Sequence, residues 1–231
     1  MSSIAIITAR GGSKRIPKKN IREFCGKPII AYSIEAALNS ELFDEVMVST
    51  DSEEIAEIAK RYGASVPFLR SAEASSDFAT TVDVLLEVIG RFEDIGNEYD
   101  TLCCIYPTAP FVTADKLVNA KSLLNETSAD SVFTVAPFSF PPQRGVIINE
   151  SKVSFCYPEY EKMRSQDLRP VYHDCGQFYF CRTNSLKLYH SLVTENTAAI
   201  VVPEMEMQDI DNETDWQLAE LKYSLLKESE S

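Results

Sequence analysis

Short apolar runs alternate, over residues 3–136, with segments in which apolar positions recur every three or four residues. The first run, Ser3–Thr8, is continuous and rich in isoleucine, a pattern typical of a strand buried on both faces. The segment that follows it, 28–39, has Ile30, Ile34 and Ala37 at helical spacing. The same alternation predicts further strands at 45–50, 65–69, 101–106 and 131–136, and helices after Ser52 and at 80–92 and 114–125.

An alternation of strands and helices predicts a mostly parallel sheet, because parallel strands need long crossover connections, which are usually helices. Helices on both faces then bury the continuous apolar strands. We therefore expect a three-layer α/β/α sandwich with a Rossmann-like sheet, built by residues 1–231 as a single domain. Regular structure resumes late in the chain, with strands predicted at 177–181 and 198–202 and a last helix at 215–227.

The alternation stops at Pro137, and residues 137–172 hold five prolines and several aromatic residues without a helical period. Two runs, 145–149 and 152–157, are separated only by Glu150 and Ser151, which predicts a hairpin that leaves the main sheet. The alternative is a long surface loop. Loops longer than roughly 12–15 residues usually have a function, such as a lid or a partner contact.

Charge and hydropathy exclude several classes of protein. The chain has 22 basic and 35 acidic residues, a net charge of −13, which disfavours binding to nucleic acid or to an anionic membrane. No segment approaches the roughly 20 apolar residues of a membrane span. The apolar run Ile4-Ala5-Ile6-Ile7 is too short for a signal-peptide core, so we expect a cytoplasmic protein.

A basic segment stands out against this acidic background. Residues 10–22 carry six positive charges and directly follow the first predicted strand, where ligands bind in open parallel sheets. Gly11 and Gly12 allow backbone N–H groups to approach anionic oxygens closely. The pattern is neither the P-loop nor Gly-x-Gly-x-x-Gly. The segment predicts a phosphate-binding loop; the alternative is a solvated basic loop.

An acidic pair, Asp209 and Asp211, precedes the last predicted helix. In an extended segment their Cα atoms lie about 6.6 Å apart and their side chains point to the same side. Two carboxylates at this short distance repel each other unless a cation lies between them. Mg²⁺ typically takes one or two carboxylates together with substrate phosphates and water. The alternative is a polar turn before the helix, in which we expect Asn212 and Asp215 to form a cap.

Other polar groups follow predicted strands. Arg70 comes after a short strand, and Tyr106 ends another and precedes Pro107-Thr108-Ala109-Pro110. His173 and Asp174 stand side by side, but there is no Gly-x-Ser-x-Gly motif to support a serine hydrolase.

These segments, in this order, resemble the nonulosonate cytidylyltransferases, a family that includes the CMP-sialic acid synthetases. The likeness covers about residues 3–225 and is carried by segment 9–20, by Val48-Ser49-Thr50-Asp51, by Leu69-Arg70 with Ser76-Asp77, by 107–110 and by Asp209-Ile210-Asp211. It implies a nucleotide site formed by Ala9, Arg10, Gly11, Gly12, Ser13, Lys19, Asn20, Arg70, Thr80 and Thr81. It also implies a sugar-acid site at Tyr106, Arg164, His173 and Gln177, and Mg²⁺ held by Asp209 and Asp211.

The implied reaction joins CTP and a nonulosonic acid and releases diphosphate, with Arg10, Lys19 and Asp211 in catalytic roles. Sialic acid synthetases tend to have Gln at the position of Tyr106 and Arg-Pro-Asn-Gly at 173–176. This chain has His-Asp-Cys-Gly there, which resembles the pseudaminic acid type. The resemblance further implies a homodimer, with 138–172 as a protrusion in the interface and Arg164 reaching the partner.

Three alternatives stay open at this point. One is a CMP-N-acetylneuraminate or CMP-legionaminate synthetase. The others are a GT-A-type glycosyltransferase, which also uses an Asp-x-Asp motif with a metal, and a nucleotide-binding module without catalysis.

Overall fold

The computed structural model describes residues 1–229. The strands are β1 (Ser3–Thr8), β2 (Glu23–Phe24), β3 (Lys27–Pro28), β4 (Glu45–Ser49), β5 (Thr101–Ile105), β6 (Ser131–Pro137), β7 (Val146–Asn149), β8 (Lys152–Phe155), β9 (Tyr172–Arg182) and β10 (Thr197–Val201). The α-helices are α1 (Ile29–Asn39), α2 (Glu53–Arg61), α3 (Thr81–Glu93), α4 (Ala114–Glu126), α5 (Thr183–Tyr189) and α6 (Glu213–Ser229). None of the described helices is long and apolar enough to cross a membrane.

A six-stranded sheet forms the centre of the molecule, in the order β10-β6-β9-β5-β1-β4. Strand β1 pairs in parallel with both β4 and β5, and β6 pairs in parallel with β10. Only β9, among the strands of this sheet, runs antiparallel to its neighbours. The mostly parallel sheet predicted from the sequence is therefore confirmed.

Helices cover both faces of the sheet, which confirms the three-layer sandwich. Because side chains alternate along a strand, Ala5 and Ile7 of β1 pack into one core with α1, α2 and α4. Ile4 and Ile6 face the opposite core, which α3 and α5 complete. A third cluster, around Trp216, packs α6 against the start of α1.

Several element boundaries differ from the sequence-based expectations. The strand expected at 65–69 is wrong: only Ser65 bridges to Met47, because Pro67 has no N–H with which to continue the ladder. Strand β9 starts at Tyr172, earlier than expected, because it contains a bulge. The helix α5 and the short β2–β3 hairpin were not expected from the sequence.

The predicted hairpin outside the main sheet is confirmed as β7–β8, joined by Glu150 and Ser151. Both joining residues have positive φ, 46° and 68°, as a two-residue type I′ turn requires. Four apolar side chains of this hairpin, Val146, Ile147, Ile148 and Val153, are about half exposed or more. Residues 138–172 thus carry apolar side chains that the rest of the described chain, residues 1–229, leaves exposed.

Candidate active site

The basic and acidic segments meet at one cavity beyond the carboxyl ends of β1 and β5. Its volume is about 450 Å³. The lining residues are Thr8, Arg10, Ser13, Lys14, Arg15, Ile16, Lys19, Asn20, Tyr106, Pro107, Thr108, Asp209 and Asp211. A second cavity of about 290 Å³ shares Thr8, Arg10 and Tyr106 with the first and extends to Arg70, Thr80 and Thr81. Together they bring most of the predicted nucleotide site into one continuous cleft.

Two side-chain hydrogen bonds, from Asp51 outside the basic loop and from Asn20 within it, fix the backbone of the loop. The Gly11 N–H donates to Asp51 Oδ1 at 2.7 Å, and Asn20 Nδ2 donates to the Arg10 carbonyl at 2.9 Å. A Cβ atom at Gly11 would lie 3.2 Å from the Cβ of Ser52, so the turn approaches α2 closely. Asn20 is buried, and its amide group shapes the loop that carries the cations.

Four of the six positive charges in 10–22 line the cavity. Arg10 and Lys14 both contact Asp77, at 3.0 and 2.7 Å. Arg15 lies 2.9 Å from Asp211. The other two cations point away from the cavity: Lys18 pairs with Glu54 and Arg22 with Glu213.

Lys19 joins the basic loop to the acidic segment. Its Nζ donates to the Ile210 carbonyl at 2.6 Å and lies 4.0 Å from Asp211. Burial lowers the pKa of Lys19, and the charges of Asp211 and Asp209 oppose that shift. An anion placed in the cavity would add to this opposition and stabilise the ammonium form.

Asp209 and Asp211 face the same cavity. Burial raises the pKa of Asp209, and the neighbouring charge of Asp211 raises it further. Two carboxylates that disfavour each other's charge fit a hard divalent cation, which relieves both effects. No group of three or more His, Cys, Asp or Glu side chains within residues 1–229 is placed to hold a metal. The pair would therefore share a metal with oxygens from substrate and water.

The predicted cap is confirmed next to this pair. Asp215 Oδ2 accepts from the backbone N–H groups of Asp211 and Asn212, at 2.9 and 3.0 Å, and Asn212 Oδ1 accepts from the Asp215 N–H. The cap turns the chain sharply between Asp211 and α6. It leaves the Asp209 and Asp211 side chains, but not that of Asp215, on the cavity wall.

Arg70 forms the floor of the second cavity. It is only 9% exposed, and its Nε and Nη2 donate to Ser49, at 3.0 Å to Oγ and 2.5 Å to the carbonyl. Burial lowers the pKa of Arg70, against the charges of Asp51 and Glu87. The Thr80 hydroxyl is engaged in the capping box of α3 with Asp83.

The predicted sugar-acid residues do not all reach the cleft. Tyr106 lines both cavities, and burial raises its pKa to about 12. Gln177 is 2% exposed; its Nε2 donates to the Glu206 carbonyl at 2.7 Å, and Oε1 has no partner among the described residues. His173 packs against Phe138 and does not line either cavity.

Arg164 lies in the segment 138–172, where it pairs with Asp167 at 2.8 Å. It lines neither cavity of its own chain. Ala9, Gly11 and Gly12 contribute backbone to the basic loop and no side chain to the cavity wall. The structure thus groups Arg10, Lys19, Asp209 and Asp211 most tightly.

Sequence reasoning assigned no role to three further acidic side chains near the cleft. Asp51 holds the Gly11 N–H, Asp77 neutralises Arg10 and Lys14, and Asp174 accepts a hydrogen bond from the Tyr179 hydroxyl. Asp51 could have been assigned to the site from its position two residues beyond β4, because residues that follow the carboxyl ends of parallel strands gather at one edge of the sheet. Asp77 belongs to a segment that carries the family resemblance, and Asp174 stands beside His173, but neither pattern shows which group the carboxylate contacts.

Comparison with known proteins identifies the family of this chain. The family model for cytidylyltransferases matches residues 4–196. A pseudaminic acid cytidylyltransferase from Campylobacter jejuni serotype O:2 is 40% identical over 230 residues, which cover 99% of each chain. A CMP-N,N'-diacetyllegionaminic acid synthase from Legionella pneumophila is 34% identical over 236 residues, again 99% of each.

A solved structure of CMP:2-keto-3-deoxy-manno-octonic acid synthetase, complexed with CTP, superposes with a TM-score of 0.70. It covers 99% of this chain and 100% of that one at 17% identity, which establishes a shared fold. The family match and the curated relatives together identify an enzyme that transfers nucleotidyl groups. This chain belongs to the cytidylyltransferase family.

Proposed function

We propose that this enzyme transfers CMP from CTP to pseudaminic acid and releases diphosphate. One observation carries the proposal: four cations and two carboxylates face each other across a single cleft that also contains Arg70 and Tyr106. Nucleotidyl transfer needs this combination, because a polyphosphate and a hydroxyl nucleophile must be held together while negative charge is neutralised. The names of the two curated relatives support a nonulosonic acid as the acceptor.

The nucleotide occupies the cleft in two parts. Arg10 and Lys19 bind the triphosphate, with Arg10 donating in a fork and Lys19 acting as a point charge. The backbone N–H of Gly12 adds a neutral donor to the phosphate oxygens, whereas the Ser13 N–H donates to the Gly11 carbonyl at 3.1 Å and stabilises the turn. Arg70, with Thr80 and Thr81 beside it, contacts cytosine or the ribose side.

The reaction is an in-line displacement at the α-phosphorus. The anomeric hydroxyl oxygen forms the new bond, its proton is released, and the bond to the diphosphate oxygen breaks. Arg10 and Lys19 stabilise the charge that accumulates on the departing diphosphate. Asp209 and Asp211 would hold Mg²⁺, which supplies charge neutralisation and lowers the pKa of a bound hydroxyl.

A CMP-N,N'-diacetyllegionaminic acid synthase is the second candidate, favoured by the 34% identity to the Legionella relative. A GT-A-type glycosyltransferase would use a nucleotide sugar instead of free CTP, and a binding module would show no turnover. One assay separates these functions: diphosphate release from CTP with pseudaminic, legionaminic, N-acetylneuraminic or 3-deoxy-octulosonic acid. We expect release with pseudaminic acid, and no release with any acid would overturn the proposal.

We propose a cytoplasmic location, where CTP is available to the enzyme. All six cysteines are free, and four of them are buried, which suits a reducing compartment.

We propose a homodimer formed through the segment 138–172. A two-stranded hairpin is marginally stable by itself, and β7–β8 exposes a cluster of apolar side chains. A second copy that packs on this hairpin would bury those side chains. It would also bring Arg164 near the sugar pocket of the partner.

The phosphate-binding role of the loop predicts a contrast between neighbouring cations. Arg10→Ala and Lys19→Ala should each weaken CTP binding about 10- to 100-fold, since a charged hydrogen bond contributes roughly 1.5–3 kcal/mol. Lys18→Ala is the control, because Lys18 pairs with Glu54 outside the cavity. Titration calorimetry with CTP measures all three, and equal affinities across the set would place the phosphate site elsewhere.

The metal-binding role predicts a loss of turnover without unfolding. Asp211→Asn should lower kcat by at least about 10²-fold, which corresponds to about 3 kcal/mol of lost transition-state stabilisation. Glu213→Gln is the matched control, since Glu213 pairs with Arg22 and does not line the cavity. A near wild-type rate for Asp211→Asn at saturating Mg²⁺ would contradict the role.

The exposed hairpin predicts a specific way to separate the dimer. Ile148→Glu should shift the protein to monomers at micromolar concentration and reduce turnover, because it places a charge in the apolar interface. Val118→Glu, at an exposed apolar position on α4, should leave the dimer intact. Light scattering distinguishes the outcomes, and a fully active wild-type monomer would refute the proposed assembly.

The choice of sugar acid predicts a strong kinetic preference. Pseudaminic and sialic acids share the carboxylate and the anomeric centre, so groups that meet the ring substituents must discriminate between them. A site that hydrogen-bonds particular substituents rejects analogues strongly, because its own polar groups are left unpaired. We expect kcat/KM for pseudaminic acid to exceed that for N-acetylneuraminic acid by at least about 10³-fold, or roughly 4 kcal/mol.

Tyr106 is the residue of the sugar-acid set that lines the cleft, so its variants test this preference. Tyr106→Gln should reduce the ratio of the two kcat/KM values more than it changes the KM for CTP. Tyr106→Phe keeps the ring and removes only the hydroxyl, which separates hydrogen bonding from packing. Equal or reversed efficiencies for the wild-type enzyme would identify a sialic-type enzyme instead.

A further inference from the structure

One carboxylate neutralises two cations of the phosphate-binding wall. Asp77 Oδ1 lies 3.0 Å from Arg10 Nη1, and Asp77 Oδ2 lies 2.7 Å from Lys14 Nζ. The hydrogen bond and charge of Lys14, followed by those of Arg10, lower the pKa of Asp77, which is therefore ionised at neutral pH. In this structure, Asp77 occupies hydrogen-bond donors of Arg10 and Lys14 that a phosphate group would also need.

Asp77 differs from the other carboxylate that contacts the cations. Asp211 also pairs with Arg15, but it lies near Asp209, and the two would share the proposed metal. Asp77 lies in the segment between Arg70 and Thr80 and lines only the second cavity. Asp209 and Asp211 line only the first cavity, so a metal held by that pair would leave Asp77 on its two cations.

The segment that carries Asp77 is anchored at both ends and loosely held between them. Ser71 donates its N–H and its hydroxyl to Glu87, and Thr80 caps α3. Between these anchors the backbone hydrogen bonds are local turns, and Phe78 is 94% exposed. Few packing contacts would be lost if the tip of this segment moved away from the basic loop.

We propose that Asp77 is an internal counter-ion that the triphosphate of CTP displaces from Arg10 and Lys14. The inference rests on the proposed function. A carboxylate and a phosphate compete for the same donors, and a second anion beside Asp77 would be repelled if Asp77 stayed in place. The triphosphate carries more negative charge than Asp77 and therefore displaces it from Arg10 and Lys14. Diphosphate that remains after transfer is displaced in turn when Asp77 returns to the cations.

Asp77 therefore weakens phosphate binding and assists product release. Its removal should strengthen the binding of any ligand that uses Arg10 and Lys14 through phosphate, and should not affect a ligand without phosphate. The expected effect is moderate, because exposed ion pairs contribute little individually. Tighter binding of diphosphate should also appear as stronger product inhibition.

The test compares Asp77→Asn with Glu54→Gln. Both remove one negative charge that contacts the basic loop, but Glu54 pairs with Lys18 outside the cavity. Titration calorimetry with CTP, inorganic diphosphate and cytidine measures direct binding. Asp77→Asn should bind CTP and diphosphate about three- to tenfold more tightly, with unchanged affinity for cytidine. Glu54→Gln should stay within about twofold of the wild type for all three ligands.

The outcomes separate this inference from the proposed function. Wild-type protein that binds neither CTP nor diphosphate would overturn the proposed function, and this inference with it. Binding by the wild type, combined with unchanged or weaker phosphate binding by Asp77→Asn, would overturn the counter-ion role alone. Equal tightening in Asp77→Asn and Glu54→Gln would assign the effect to overall charge and also overturn it.

Discussion

The contact between the basic loop after β1 and the acidic segment before α6 is the interaction on which the site depends. Lys19 and Ile210 are 191 residues apart in sequence, and the Lys19 ammonium reaches the Ile210 carbonyl at 2.6 Å. Groups that must bind phosphates and a metal have to lie within a few ångströms of one another. Opposite charges at such short distances attract each other, so the cations and carboxylates of the cleft neutralise one another.

This compensation requires that both loops be held by contacts other than those among the cavity charges. The basic loop is fixed by Asp51 and by the Asn20 amide. The acidic segment is fixed by lysines from two helices: Lys116 lies 2.8 Å from Glu206, and Lys222 donates to the Glu204 and Met207 carbonyls. Neutral donors and lysines distant from the cavity hold the two loops in place. The charged groups of the cavity can therefore exchange partners without unfolding either loop.

The sequence allowed most of this framework to be predicted, for a simple physical reason. Strands buried on both faces are continuous apolar runs, and ligand-binding loops follow their carboxyl ends, so periodicity alone locates the sheet and the edge that carries the site. The strand prediction for 65–69 was wrong because hydrophobic periodicity does not detect the missing N–H of Pro67. Charge partners such as Asp77 were beyond reach because they depend on how separate loops fold over the sheet edge.

The direction of side chains in β9 was the other feature that the sequence could not give. One residue separates Phe133 from Val135 on β6, whereas four separate their partners Tyr179 and Asp174 on β9. The extra residues form a bulge, and each residue added to a strand reverses the faces of those beyond it. Spacing from the strand end therefore does not show that Gln177 is buried.

The same bulge separates the two kinds of recognition in the cleft. In the proposed function, triphosphate binding depends on the loop after β1 and on the segment before α6. Tyr106 instead follows β5, and its N–H donates to the Gln177 carbonyl in the bulged part of β9. A Cβ atom at Gly176, where φ is +60°, would lie 3.7 Å from Asp209 Oδ1 and 3.9 Å from Tyr106 Cδ2. The bulge thus approaches Asp209 through backbone that presents no charge. Under the proposed function, side chains at 173–177 could change while the charges that would hold CTP and a metal stay in place, which would allow one scaffold to serve relatives named for different sugar acids.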